Sequence, residues 1–198
     1  PILKRFAALK PAAKDFRIYW DNAYALHYIY DESIEIPEIL SECAKAGKPD
    51  LVYEFCSTSK VSFAGGGISA IASSKANLEW IQKRLTIQTI SYDKINQYRH
   101  VLYFKGIDGI KAQMRKHAEF LRTKFDALLE IFDKEINGTG AGSWTKPMGG
   151  YFISFETNEG CAKEVVAKCK EAGVVLTGAG APFPYGKDPK DSIIRIAP

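Results

Sequence analysis

Two short apolar segments that stop abruptly at polar residues constrain this chain most. Residues 16–20 (FRIYW) end at Asp21 and residues 51–56 (LVYEFC) end at Ser57, so each reads as a buried strand. Between them Pro37 suits a first helical turn, Ile39, Leu40 and Cys43 make an apolar stripe, and Gly47 suits a helix stop. A strand, helix, strand unit with a crossover of this length joins parallel strands in a right-handed sense. Both strand ends then fall on one edge of the sheet, the edge at which open α/β folds bind ligands. Asp21 and Lys60 are therefore expected to meet in space although they are far apart in sequence.

Downstream, residues 68–73 read as a third short strand and residues 77–85 as a helix with Leu78, Ile81 and Leu85 on its apolar side. Helical spacing dominates residues 94–136, with Phe120, Leu121, Phe125, Leu128, Leu129 and Phe132 in one stripe and a bend at Gly106 and Gly109. A glycine-rich turn at residues 138–142 closes that stretch. Residues 151–155 then read as a strand, 161–171 as a helix, and 174–177 and 193–196 as two more short strands around a Gly/Pro loop. The fold class is α/β.

Several functional classes are disfavoured by what the chain lacks. No apolar run approaches the roughly 20 residues that span a bilayer, so no membrane partner is expected. With 27 Lys+Arg against 23 Asp+Glu the formal net charge is only +4, mixed in sign along the chain, which gives no footprint for nucleic acid. Cys43, Cys56, Cys161 and Cys169 form no CxxC pair and lie in apolar segments, so they read as buried free thiols of a reducing compartment, the cytoplasm. His27, His100 and His117 lie far apart and away from any cysteine pair, so no metal site is expected and the histidines read as packing or surface residues.

The chemistry is concentrated at the two strand ends, in Asp21-Asn22-Ala23-Tyr24 and Ser57-Thr58-Ser59-Lys60. Taken alone, an Asp at a strand end is a turn former and an SxSK string is a solvated loop. Paired across one crossover they form a donor set suited to a carbonyl cofactor. Pyridoxal phosphate needs an amine to hold its aldehyde, an anion to keep its ring nitrogen protonated, and hydroxyls for its phosphate.

With these residues in view, the sequence resembles the fold type I pyridoxal-phosphate enzymes, in the aspartate-aminotransferase-like branch related to the effector domains of MocR regulators. The resemblance runs from the strand before Asp21 to Arg195 and corresponds to the C-terminal half of such a chain. It implies that residues 1–100 are the second half of the cofactor-binding large domain, with a mostly parallel sheet. Residues 101–137 would be a linking helical segment and 138–198 a small, incomplete α+β domain. It further implies that Asp21 pairs with the pyridinium nitrogen, that Tyr24 bonds the phenolic oxygen, and that Lys60 is the Schiff-base lysine and proton carrier. Ser57 and Ser59 would be phosphate-side hydroxyls, and Arg195 would grip the substrate α-carboxylate. Eight residues after Lys60, where most members place a phosphate-binding arginine, this chain has Ile68. The run Gly65-Gly66-Gly67, centred on Gly66, is expected to replace it in part through backbone N–H groups, or simply to permit a tight loop.

Pro147-Met148-Gly149-Gly150-Tyr151 resembles the element that opens the small domain, residues 178–186 resemble a loop near the active-site mouth, and residues 86–94 fall where this fold meets a dimer mate. The implied activity is transfer of an amino group between an amino acid, aspartate or glutamate by preference, and a 2-oxo acid, in a homodimer. Two alternatives remain: a cofactor-binding sensor domain of a MocR-type regulator, and an inactive fragment serving as an interaction module. The chain opens without Met and stops just after a strand, so it is expected to be part of a longer protein.

Overall fold

The computed structural model describes residues 2–32, 34 and 36–198, so the opening Pro1 lies outside the described residues. The elements in chain order are α1 (Ile2–Ala8), β1 (Ile18–Asp21), α2 (Ile39–Lys45), β2 (Val52–Ser57), β3 (Ser69–Ala72), α3 (Lys75–Gln88), α4 (Lys94–Phe104), α5 (Ile107–Glu135), β4 (Gly142–Trp144), β5 (Ile153–Thr157), α6 (Ala162–Glu171) and β6 (Ile193–Ile196). They form two compact units. The first comprises residues 1–26 and 35–114, the second residues 27–34 and 115–198, and the division falls within α5.

In the first unit the sheet order is β1-β2-β3. β1 and β2 pair in parallel, Ile18 beside Val52 and Asp21 beside Phe55, as the crossover predicts. β3 runs antiparallel to β2, with Ser57 beside Ser69. One face of this sheet is covered by α1 and α2 through Leu3, Ala7, Ile39, Cys43, Leu51 and Val52, all buried. Burial of side chains such as Ile39 and Val52 stabilises the layer by about 1.5–3 kcal/mol each. Helix α1 is absent from the sequence reading because seven residues are too short for periodicity to register. It is held in part by Lys48, whose Nζ donates to the carbonyls of Ala7 at 3.0 Å and Leu9 at 2.6 Å, at the helix's C-terminal end.

Helix α2 starts later than Pro37 suggests. The Glu38 carboxylate accepts from the N–H groups of Leu40 and Ser41, both at 2.6 Å, so Glu38 is the cap and Pro37 precedes the helix. Burial acts to raise the Glu38 carboxyl, but the Ser41 side chain and the Ser41 and Leu40 N–H groups together hold it below its usual range. The thiols also depart from expectation. All four are free, but only Cys43 is buried; Cys56 is exposed and Cys161 and Cys169 are half-buried. Strand alternation puts Cys56 on the same face as Val52, but near the end of β2 it is left exposed. In α3 the expected stripe is not the buried side: Leu78 is exposed, and the buried residue is Asn77, whose Nδ2 donates to the Asp50 carbonyl at 2.9 Å.

The expected bend in the long helical stretch is present. Lys105 is left-handed (φ 58°) and Gly106 has φ 144°, so α4 stops at Phe104 and α5 begins at Ile107. Gly109 lies inside α5, where a Cβ would run into the Phe104 carbonyl oxygen.

The second unit packs α5 and α6 with the antiparallel sheet β4-β5-β6. Phe125, Leu129 and Phe132 of α5 meet Ile153, Phe155, Ala162 and Ile194 in one core. Phe120, counted in the same stripe from sequence, instead faces outward with the Lys124 ammonium 4.9 Å from its ring centroid. Strand β4, hidden in the glycine-rich turn, exists because its partner β5 pairs Trp144 with Phe155. Residues 174–177 are not a strand, since they have no ladder partner; Val174 and Val175 are exposed and only Leu176 packs on the core. Ile29 belongs to this core too, fully buried with Tyr30 packed beside it and Arg122 Nε donating to the Ile29 carbonyl at 3.0 Å. Tyr30 donates to Asp126 at 2.6 Å, and burial together with that bond pushes its phenol up to about 12.

Two tests follow from these contacts. Lys48→Met keeps the aliphatic stem and removes the donors, so it should cost about 1–2 kcal/mol and quicken hydrogen exchange in α1; unchanged exchange there would contradict the latch. The turn before β6 is closed by Asp188, whose carboxylate accepts from the N–H groups of Lys190, Ser192 and Ile193. Burial raises its carboxyl but these bonds outweigh it, and the folded value lies below the ordinary one. Its stabilising effect is therefore full above the unfolded-state range and is lost as pH falls through the folded value. Asp188→Asn should lower the melting temperature at neutral pH and flatten its decline on acidification, which a melting series against pH would show.

Candidate functional site

The parallel pairing sets the site. β1 and β2 end at the same edge, and the chain leaves them in two tight turns. After β1, Asn22 N–H donates to the Phe55 carbonyl at 2.8 Å, Asn22 Nδ2 donates to Glu54 at 2.9 Å, and Asp21 Oδ1 accepts from Ala23 N–H at 3.2 Å. These bonds steer residues 22–24 along the edge of β2. After β2, the N–H groups of Val61 and Ser62 both donate to the Thr58 carbonyl, at 2.9 and 2.8 Å, closing a turn with Lys60 at its exposed tip. The Lys60 ammonium then lies 6.0 Å from the centroid of the Tyr24 ring, at the outer limit of cation–π reach. Ser57 and Ser59 flank the same turn, with Ser59 N–H donating to Ser57 Oγ at 3.3 Å.

The structure thus brings Tyr24 and Lys60 together, with Asp21 beside Phe55 on the same edge and two hydroxyls adjacent. Ile68, which stands where an arginine was expected, is tied by its backbone: Thr58 N–H donates to its carbonyl at 2.8 Å and its N–H donates to Thr58 Oγ1 at 2.9 Å. The glycine run is pressed against the lysine turn. A Cβ on Gly67 would meet Ser59 Oγ at 2.6 Å, its Cα at 2.8 Å and its N at 2.9 Å, so only glycine permits this approach. Gly66 is buried, and its N–H is already donated to the Phe63 carbonyl at 3.1 Å.

Sequence reasoning missed the residues that hold this loop. Asn96 Nδ2 donates to the carbonyls of Gly66 at 3.0 Å and Gly67 at 3.4 Å. His100, one turn further along α4, is buried and contacts Thr58 Oγ1 at 2.9 Å and Ser62 Oγ at 3.3 Å. The available signal was their i, i+4 spacing, which puts both side chains on one face of α4.

Arg195 belongs to the second unit, on β6 beside Ser154 of β5. Its guanidinium carbon lies 4.5 Å from the Phe152 ring centroid. Its Nε is buried without a hydrogen-bond acceptor, and among the described residues it forms no ion pair. A stacked guanidinium with donors to spare suits an incoming carboxylate. Gly149 and Gly150 also act within this unit: Gly150 N–H donates to the His27 carbonyl at 2.7 Å, and a Cβ on Gly149 would collide with that same oxygen.

For pyridoxal phosphate the donor set fits in kind: one amine, one carboxylate, a phenol and hydroxyls converge on one sheet edge, beside a loop that a Cβ would obstruct. Among the described residues no group of three or more His, Cys, Asp or Glu gathers to hold a metal, and no helix is long and apolar enough to cross a membrane.

Comparison with known proteins agrees with this architecture. Residues 2–198 match the family described as aspartate amino-transferase. The chain is 43% identical over 197 residues to an aspartate aminotransferase of Corynebacterium glutamicum, covering 100% of this chain and 46% of that protein. It superposes on the crystal structure of an aspartate transaminase from the same organism with a TM-score of 0.96, again over 100% of this chain and 46% of the other. An α-aminoadipate aminotransferase from Thermus thermophilus, solved with N-(5'-phosphopyridoxyl)-L-leucine, shares the fold at 21% identity and a TM-score of 0.71, over 91% of this chain and 44% of that one. The chain spans about half the length of the relatives it matches. The fold is the mixed α/β architecture of the fold type I aminotransferases, and the chain belongs to the aspartate aminotransferase family.

Proposed function

We propose that the protein of which this chain is part is a pyridoxal-phosphate-dependent aminotransferase. It would exchange the amino group and α-hydrogen of an amino acid for the carbonyl oxygen of a 2-oxo acid, with aspartate or glutamate favoured. The observation that carries this reading is the Lys60 amine beside the Tyr24 ring at the carboxyl edge of two parallel strands, in a chain of this family. When bound, the cofactor supplies an aldehyde for an amine and a ring that stabilises negative charge at the substrate α-carbon.

The chain's own residues would divide the remaining work. The Lys60 amine holds the cofactor and then takes and returns the α-proton. The Asp21 carboxylate keeps a proton on the ring nitrogen, and the Tyr24 hydroxyl donates to the phenolic oxygen. Ser57 and Ser59 hydroxyls donate to the phosphate, with the Gly66 loop allowing its close approach. Arg195 orients the substrate through its carboxylate, a task its stacked, unpaired guanidinium suits. The Ser-Lys pair followed by a glycine run also carries the proposed kinship to MocR effector domains. Partners would be the two substrates and a second copy of the chain. Support for the second copy is the apolar exposure of Ile87, Ile90 and Tyr92 within residues 86–94. Four free thiols agree with a cytoplasmic setting.

Lys60→Ala in the full-length protein should abolish transamination between aspartate and 2-oxoglutarate, a fall of at least about a thousandfold, while the melting temperature changes little because Lys60 is exposed. Retained turnover in that variant would overturn the reading.

A further inference from the structure

Helix α4 contributes no residue to the proposed chemistry, yet His100 contacts two hydroxyls of the turn that carries Lys60 and Asn96 binds the backbone of the glycine loop beside it. The His100 ring is buried and packs against Phe104, with centroids 5.8 Å apart. Its Nδ1 lies 2.9 Å from the Asn96 carbonyl oxygen, which can only accept, so Nδ1 carries the hydrogen. Thr58 Oγ1 accepts the Ile68 N–H, and its own hydrogen has His100 Nε2 at 2.9 Å as a nearer acceptor than the Ile68 carbonyl at 3.4 Å. Ser62 Oγ, 3.3 Å from the same nitrogen, donates to the Thr58 carbonyl at 3.0 Å. His100 therefore touches both ends of the turn whose tip is Lys60. One turn earlier, Asn96 must present its amide nitrogen to Gly66 and Gly67, since both partners are carbonyls.

We propose that His100 is a positioning residue for Lys60: by accepting the Thr58 hydroxyl from α4 and lying against Ser62, it fixes the turn and seats it on the glycine loop that Asn96 holds. The reach of the Lys60 amine is then set in part from α4. Ile68 belongs to the same device. Its backbone N–H and carbonyl both bind Thr58, and Thr58 in turn is held by His100. The proposal depends on the aminotransferase reading only for what Lys60 does once it is held.

The test uses the full-length protein carrying His100→Phe, which keeps a ring against Phe104 but no polar atom, and His100→Gln, which restores an amide near Nε2. Hydrogen exchange is first followed without cofactor at the amides of Val61, Ser62 and Ile68, whose acceptors all lie on Thr58. Affinity for pyridoxal phosphate and the fraction of Lys60 labelled after borohydride reduction are then measured. In His100→Phe those three amides should exchange about tenfold faster while α5 is unchanged, and cofactor affinity should fall about tenfold. His100→Gln should recover most of both. Wild-type exchange at the three amides in His100→Phe, or equal damage in the Gln variant, overturns the proposal. Loosened amides in a protein whose wild type takes no label at Lys60 would leave the clamp standing and remove the cofactor reading instead.

Discussion

Parallel pairing of β1 with β2 is the constraint on which the proposed site depends. Because Asp21 sits beside Phe55, the turns after the two strands leave the same edge, and residues 22–24 are tied to β2 by the Asn22 bonds to Phe55 and Glu54. An amine and a phenol far apart in sequence are thereby brought within 6.0 Å of one another. No side-chain attraction between them could do this, since a surface cation–π contact contributes only about 0.5–1 kcal/mol. The ladder and the buried layer beneath it, centred on Ile39, Cys43 and Val52, supply the rigidity.

The lysine turn is organised by backbone as much as by side chains. Thr58 uses its N–H, its carbonyl and its hydroxyl at once, binding Ile68 on one side and Val61 and Ser62 on the other. A single residue thus couples the end of β2, the turn and the start of β3. Gly67 completes the arrangement by allowing the loop to touch Ser59 where any side chain would be excluded. Glycine is thus required by close packing at Gly67 and by positive φ at Gly65, while Gly66 spends its N–H within the loop.

Much of this was legible in the sequence, because it rests on strong local signals. Apolar segments ending at Asp21 and Ser57 gave the parallel unit, and of the two glycines that marked a bend Gly106 carries it through positive φ while Gly109 lies inside α5. What escaped depended on partners that no local pattern names. β4 exists through Phe155 and its neighbours, whereas the β-branched run at Val174 and Val175 has no ladder to join and stays irregular. Pro37 was misplaced because Glu38 supplied a stronger cap one residue later. His100 reads from sequence as a packing or surface residue and Asn96 drew no reading, and their roles appear only once α4 is laid against residues 58–67.

The most direct measurement is to add pyridoxal phosphate to the full-length protein, reduce with borohydride, and map the modified lysine by mass spectrometry. The account predicts a near-stoichiometric pyridoxyl label on Lys60 and none above background on the other lysines. A label spread over surface lysines, or concentrated at a different one, would contradict it.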